Sequence, residues 1–264
     1  MIRALGLVKK FGDLIAVNDV SFEVPEGEIF AFLGPNGAGK TTTIKMLTTL
    51  LKPSSGSVSL DGIDPVRDQT GARKQFGIVF QDSSVDDELT AYENMDFHGV
   101  LYSVPRKLRH ERIEQLLKLF ELWDRRKDPV KQFSGGMRRR LEIARSFLHT
   151  PKIIFLDEPT LGLDPQTRNQ LWTHVQKLNE QEQVTVFLTT HYMEEAERVA
   201  HRIAIIDHGR IVAQGTADEL KKQTATETLE QAFLALTGST IREEEASGLD
   251  QMRAFSRAFR RGRR

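Results

Sequence analysis

The chain contains no cysteine, which excludes disulfide staples, thiolate metal sites and a cysteine nucleophile, and fits a reducing compartment. It has no excess of charge: lysine plus arginine and aspartate plus glutamate each number 37. No overall field therefore draws it to nucleic acid or to an anionic membrane, and any basic function must be local. No apolar run approaches the roughly 20 residues needed to span a bilayer. The opening segment Met1–Phe11 scatters its charges through a short apolar stretch, unlike a secretory signal. Internal repeats and low-complexity segments are also missing. What remains is a chain of 264 residues, long enough for one sizeable domain with a smaller appended part.

The first 80 residues read as short strands: Ile2–Val8, Ala16–Val24 and the uninterrupted apolar run Ile29–Leu33, whose lack of alternation implies burial on both faces. A helix from Lys40 to about Leu51 follows, then strands over Ser57–Leu60 and Gly77–Phe80. From Asp82 to Thr150 the apolar spacing becomes helical, as in Ile113, Leu116, Leu117 and Phe120. Strands return at Ile153–Leu156, Val184–Leu188 and Arg202–Ile206, with a helix over Gln166–Gln181 between them. The expected fold is α/β: a mainly parallel, helix-covered sheet, an N-terminal antiparallel β subdomain, and an α-helical subdomain inserted over about residues 82–150. The main domain is expected to span residues 1–223, with a short helical extension and basic tail over 224–264.

Gly34-Pro35-Asn36-Gly37-Ala38-Gly39-Lys40-Thr41 fits the pattern G-x-x-x-x-G-K-[ST] between a buried strand and a helix. Its glycines let successive backbone N–H groups converge on phosphate oxygens, to which the helix N-terminus adds partial positive charge. Lys40 would reach the β- and γ-phosphates, and Thr41, followed by Thr42, is placed to hold Mg2+. Without its flanking strand and helix the same string would be a glycine-rich turn with an exposed lysine. The strand Ile153–Leu156 then delivers Asp157 and Glu158 to its carboxyl end, where open α/β sheets bind ligands. Alternation along an extended strand separates their jobs: Asp157 is expected on the Mg2+ side, and Glu158 as the general base that polarises the attacking water.

With these parts in place the sequence resembles the ATP-binding cassette family over about residues 1–223. The most specific element is Phe133-Ser134-Gly135-Gly136-Met137, which is similar to the family's LSGGQ signature and stands between the phosphate loop and Asp157 in the family's order. The resemblance implies that Ser134, Gly135 and Gly136 close over the γ-phosphate held by the Lys40 of a second copy, so that a homodimer buries two ATP molecules. It also implies that Gln81 senses Mg2+ and the attacking water, that His191 touches the γ-phosphate, that Asp164 crosses to the other subunit, and that Phe11 stacks on adenine. Read without the family, Gln81 and His191 would be surface residues and Phe11 a core residue. Phe133 for Leu, Met137 for Gln and Leu161 for Ser depart from the usual pattern, but the serine and both glycines remain.

The texture of residues 133–146 and 84–90 resembles the ABC-2 type branch, which includes daunorubicin-resistance-like exporters. That resemblance implies an ATPase at the cytoplasmic face of the inner membrane, peripheral through a separate ABC-2 type permease and without nucleic-acid partners. The permease would dock near Asp82–Phe97, where Asp86-Asp87-Glu88 reads equally as a contact or as a solvated acidic turn. A soluble DNA-repair or translation-type ATPase is the alternative. It is disfavoured because no heptad run or cysteine separates Lys40 from Ser134 and only one set of motifs is present. In the tail, six arginines face one acid over Asp250–Arg264, with Met252, Phe255 and Phe259 at helical spacing. It reads either as a docking helix or as a disordered basic terminus.

Overall fold

The computed structural model describes residues 1–238; the tail from Asp250 onward lies outside the described residues. Nine strands and nine α-helices are found in them. β1 (Ile2–Phe11), β2 (Leu14–Val24) and β4 (Ser55–Leu60) form an antiparallel sheet in the order β2-β1-β4. β3 (Ile29–Leu33), β5 (Phe76–Val79), β6 (Ile153–Asp157), β7 (Thr185–Thr190), β8 (Arg202–Asp207) and β9 (Arg210–Gly215) form the second sheet in the order β5-β6-β7-β3-β8-β9. Its first five strands run parallel, and only β9 is antiparallel.

The helices are α1 (Lys40–Leu47), α2 (Gln69–Gln75), α3 (Ala91–Leu101), α4 (Arg106–Leu119), α5 (Gly135–Ser146), α6 (Pro165–Glu182), α7 (Met193–Val199), α8 (Ala217–Thr224) and α9 (Leu229–Thr237). α3, α4 and α5 all lie in the chain between β5 and β6, which are direct neighbours in the sheet. The fold is thus α/β, with an antiparallel N-terminal sheet, a mostly parallel sheet and helices around it.

The run Ile29-Phe30-Ala31-Phe32-Leu33 is fully buried, and its side chains serve two cores. Ile29, Ala31 and Leu33 join the cluster containing Leu116, Leu141, Phe147 and Trp172 on the helical side. Phe30 and Phe32 join the cluster between the sheets, where Phe22, Phe30 and Phe187 pack with ring centroids 5.5–5.6 Å apart. Each such aromatic pair contributes about 0.5–1.5 kcal/mol beyond its buried area. This two-sided packing fixes β3 between β7 and β8 and so fixes where the phosphate loop begins.

Several boundaries differ from the sequence reading. α1 ends at Leu47 rather than Leu51, because Thr48 turns its hydroxyl back to the Ile44 carbonyl at 2.8 Å and Thr49 takes a left-handed backbone. α5 begins two residues earlier than the expected Met137, because the Ser134 hydroxyl accepts a hydrogen bond from the Met137 N–H at 3.3 Å and makes Gly135 the first helical residue. The short elements α2, α8 and β9 have no counterpart in the sequence reading, since none is long enough to show a clear period, whereas α7 occupies the helical stretch expected between Val184–Leu188 and Arg202–Ile206.

Candidate functional site

Strand order brings the site together. β6, β7 and β3 are consecutive neighbours, with Asp157 level with Thr189 and Leu33 level with Thr190. The carboxyl ends of these three strands therefore place Asp157 and Glu158, His191, and the loop 34–39 side by side. In that loop Asn36 and Gly37 are exposed, while Gly34, Pro35 and Ala38 are buried. Gly39 has φ +106°, and a Cβ there would meet the Ala16 carbonyl at 2.6 Å, so both conformation and space demand glycine. α1 starts without a side-chain cap and with no acid in its first turn, leaving its N-terminal dipole free for an anion.

Lys40 is buried, and its ammonium donates to the Gly34 carbonyl at 2.7 Å and the Pro35 carbonyl at 3.2 Å. Its third partner is Glu158 Oε1 at 3.1 Å. An ammonium has three donors, so all of them are used inside the chain. Glu158 Oε2 lies 3.0 Å from His191 Nδ1. Burial pushes the Glu158 carboxyl up, but the hydrogen bond with His191 and the Lys40 charge outweigh it and hold the group at about 2.

Asp157 is the last residue of β6, and Glu158 leaves the strand with φ +47°. The expectation that strand alternation separates the two carboxylates is therefore corrected: a left-handed backbone step, which costs a non-glycine residue roughly 1–2 kcal/mol, sets the direction of Glu158. The Glu158 N–H is held by Thr189 Oγ1 at 3.0 Å.

Asp157 Oδ1 accepts from Thr189 at 2.6 Å and from Thr41 at 3.2 Å. Its Oδ2 is buried and has no partner among the described residues. Burial raises the Asp157 carboxyl above its ordinary value, against the hydrogen bonds from Thr189 and Thr41. A buried, half-satisfied carboxylate oxygen beside a threonine hydroxyl fits a hard cation. No group of three or more His, Asp or Glu able to hold a metal exists among the described residues, so a protein cage of such side chains is not built here.

Each of the other expected site residues has its own setting. Gln81 is exposed beyond the end of β5 and takes no part in the hydrogen bonds joining Thr41, Asp157 and Thr189. Phe11 is 36% exposed, at the end of the β1–β2 hairpin opposite Leu14, with the Lys9 ammonium 5.1 Å from its ring centre. The core reading of Phe11 is thereby corrected; a hairpin end has no second layer to cover it. Asp164 caps α6, accepting from the Thr167 N–H at 3.0 Å and the Thr167 hydroxyl at 2.6 Å, and the hydroxyl contact first and the N–H second hold its carboxyl below the ordinary value. Thr42 sits half-buried in the first turn of α1.

Ser134 and Gly135 are exposed at the start of α5. A Cβ on Gly135 would meet nothing within 4 Å, whereas one on Gly136 would strike Thr167 at 2.7 Å. The first glycine faces open space, and the second lets α5 approach the start of α6.

Two buried charged residues around the site escaped sequence reasoning. Glu195 accepts from Thr160 Oγ1 at 2.8 Å and Thr190 Oγ1 at 3.4 Å, so it ties the segment after Glu158 to the residue before His191. Burial raises its carboxyl. Arg139, on α5, is 8% exposed and donates to the carbonyls of Asp157, Glu158 and Pro159. It sits in the run Arg138-Arg139-Arg140, where no local signal separates a buried guanidinium from solvated ones.

A family model described as ABC transporter matches residues 17–161. The daunorubicin resistance ATP-binding protein DrrA3 of Streptomyces coeruleorubidus is 39% identical, over 97% of this chain and 85% of that protein. The daunorubicin/doxorubicin resistance ATP-binding protein DrrA of Streptomyces peucetius is 45% identical, over 86% of this chain and 69% of that protein. Among solved structures, an ATP-binding subunit of an ABC transporter matches with TM-score 0.82 and 29% identity, covering 89% of this chain and 99% of its own. A dimeric ATP-binding cassette, MJ0796, in a post-hydrolysis state bound to ADP and Pi, matches with TM-score 0.74 and 30% identity, over 82% and 98%. These relatives do not favour the DNA-repair or translation alternative. With a phosphate loop, paired carboxylates and a capped signature helix placed on this sheet, the chain belongs to the ATP-binding cassette family, as an ATP-binding and ATP-hydrolysing subunit of the ABC transporter type.

Proposed function

We propose that two copies of this chain close head to tail around two Mg-ATP and that hydrolysis reopens them, driving an ABC-2 type permease for export. The reading rests on two features of one chain, the buried Lys40–Glu158–His191 cluster beside the start of α1 and the exposed, Ser134-capped start of α5, which we take as the two unlike halves of a phosphate site. The loop 34–39 and the α1 N-terminus bind the phosphates, with Lys40 as their point charge and Thr41 and Thr42 in the first turn. Thr41, Asp157 and Gln81 would hold Mg2+, which neutralises charge on the β- and γ-oxygens when bound. Phe11 offers its exposed ring to adenine, and Ser134, Gly135, Gly136 and Asp164 face the nucleotide of the other copy.

Glu158 takes the proton of the attacking water. Held at about 2 by its hydrogen bond with His191 and by the Lys40 charge, it is a poor base; when Lys40 turns to phosphate, that charge is drawn away from it. Its proton affinity then rises toward the range useful for general base catalysis. His191 holds Glu158 Oε2 in place from the other side.

We assign the permease contact to a cleft of about 510 Å³ beside α3, lined by Ser84, Asp86, Phe97, Leu101 and Arg145 among others. Phe97, Val100 and Leu101 are 53–65% exposed around it, an apolar patch of the kind that marks protein contacts. Among the described residues no helix is long and apolar enough to cross a membrane, which fits a peripheral subunit on the cytoplasmic face. The named resistance relatives support export as its direction.

Glu158→Gln tests the reading. Steady-state hydrolysis should fall by at least about 100-fold while ATP binding persists and ATP produces a stable dimer on size exclusion. Parental turnover by this variant would remove Glu158 from the mechanism.

A further inference from the structure

α5 begins at the exposed signature turn and ends against β5, so it touches both the nucleotide side and the cleft side of the molecule. Arg139 is its one deeply buried cation. Burying a guanidinium is costly unless every N–H finds an acceptor, and here all five do. Nε donates to the Pro159 carbonyl at 2.7 Å; Nη2 donates to those of Asp157 at 3.2 Å and Glu158 at 3.1 Å. Nη1 donates to the Phe80 carbonyl and to Glu142 Oε2 at 3.1 Å. Three consecutive carbonyls of the turn that carries both carboxylates are thus clamped by one planar group. The middle residue of that turn is Glu158, whose left-handed backbone is disfavoured for any side chain. Such a conformation persists only when its surroundings enforce it.

The clamp continues outward. Glu142, also buried, accepts the Ser84 N–H on Oε1 at 2.6 Å, and Arg145 donates to the Ser84 carbonyl at 3.0 Å. Ser84 and Arg145 line the cleft beside α3. A chain of charge-assisted hydrogen bonds therefore runs from the cleft wall through Glu142 and Arg139 to the backbone of Glu158.

We propose that Arg139 is the positioning residue for Glu158, fixing its turn to α5 and to the end of β5, and that Glu142 holds the guanidinium in this clamp. The proposal rests on the reading of Glu158 as the base. Lysine in place of Arg139 keeps the charge but offers three donors instead of five, in no fixed plane, so it cannot hold three carbonyls and Phe80 together. Misplacing a base by about 1 Å costs up to roughly 100-fold in rate.

The test is steady-state ATP hydrolysis by the full chain carrying Arg139→Lys, alone and combined with Glu158→Gln, alongside ATP-dependent dimerisation. The expected result is a kcat at least about 10-fold lower, with KM for ATP within about twofold and the dimer retained. In the Glu158→Gln background Arg139→Lys should cause no further loss, because the group it positions is already neutralised. A merely structural arginine would instead raise KM, weaken the dimer, or cost the same factor in both backgrounds, and any of these would overturn the proposal. So would a folded Arg139→Lys protein with parental kcat; if Glu158→Gln is inactive at the same time, Arg139 alone is misassigned. Parental turnover by Glu158→Gln would bring down both readings. Should Arg139→Lys fail to fold, Glu142→Gln carries the test, with kcat about threefold lower at unchanged KM expected from the loss of one charged partner and an unchanged kcat overturning it.

Discussion

Helices α1 and α5 both open at glycine-rich turns, yet their beginnings are built differently. α1 starts at Gly39 without a side-chain cap, beside a lysine whose three donors are all spent within its own chain. α5 starts at Ser134, which caps its own helix and stays exposed, with no acid in its first turn. The first end is joined to the paired carboxylates through the Lys40–Glu158 ion pair. The second is an anion-seeking terminus without a side-chain anion of its own first turn to meet. On the proposed function, the difference makes the two helix starts unlike halves of one site, so that binding and turnover should be separable by mutation.

The largest effect should come from breaking the α1 half. Lys40→Ala removes the phosphate charge and leaves Glu158 buried without its cation; nucleotide binding measured by calorimetry should be lost and hydrolysis should fall by at least about 100-fold. Breaking the α5 half should look different. Gly135→Asp fits the open space around Gly135 but places an anion where a phosphate is to be met, so hydrolysis should again fall about 100-fold. ATP affinity of the isolated chain should stay within about twofold, and equal loss of affinity would erase the contrast between the two helices.

Acid stability sharpens the contrast from the cleft side. Burial pulls His98 down to about 3 and His149 to about 4; the two rings lie with centroids 5.8 Å apart beside Tyr102. Unfolded chains take up these protons near 6.5 and the folded chain does not until far lower. Their contribution is therefore complete above about 6.5 and is lost progressively as pH falls toward about 4 and about 3. Glu158, depressed from 4.5 to about 2, adds a loss that begins only as pH drops below about 4.5. Thermal melts should show stability declining from pH 7 to 5, with a shallower decline in His98→Leu/His149→Gln; an identical slope in the variant would acquit the histidines.

The smallest effect concerns Asp164. Asp164→Ala should lower the melting temperature by about 2–4 °C through loss of the α6 cap, and Asp164→Asn, a competent cap, should restore it. If Asp164→Asn still hydrolyses ATP slowly in the presence of a restored cap, the carboxylate acts across the dimer as well.

Much of this site was legible in the sequence because its parts are local strings with a physical signature: a glycine-rich turn after a buried strand, two carboxylates at a strand end, a serine ahead of a helix. Strand neighbours were also readable in kind, since unbroken runs such as Ile29–Leu33 demand two-sided burial. Three things went unread. The left-handed step at Glu158 depends on Thr189 and Arg139, which are distant in sequence. The capping role of Asp164 was visible in principle in Asp164-Pro165-Gln166-Thr167, but the aspartate was read only through the family. Arg139 looks like its two neighbours until tertiary packing buries it alone.

The central claim is that a working site takes α1 from one chain and α5 from another. Mixing purified Lys40→Ala with purified Gly135→Asp tests it directly, because a head-to-tail pair of these two inactive chains contains one composite site with both halves intact. The account predicts that ATP hydrolysis reappears on mixing and depends on the concentration of each chain. A mixture no more active than its two components measured apart would contradict it.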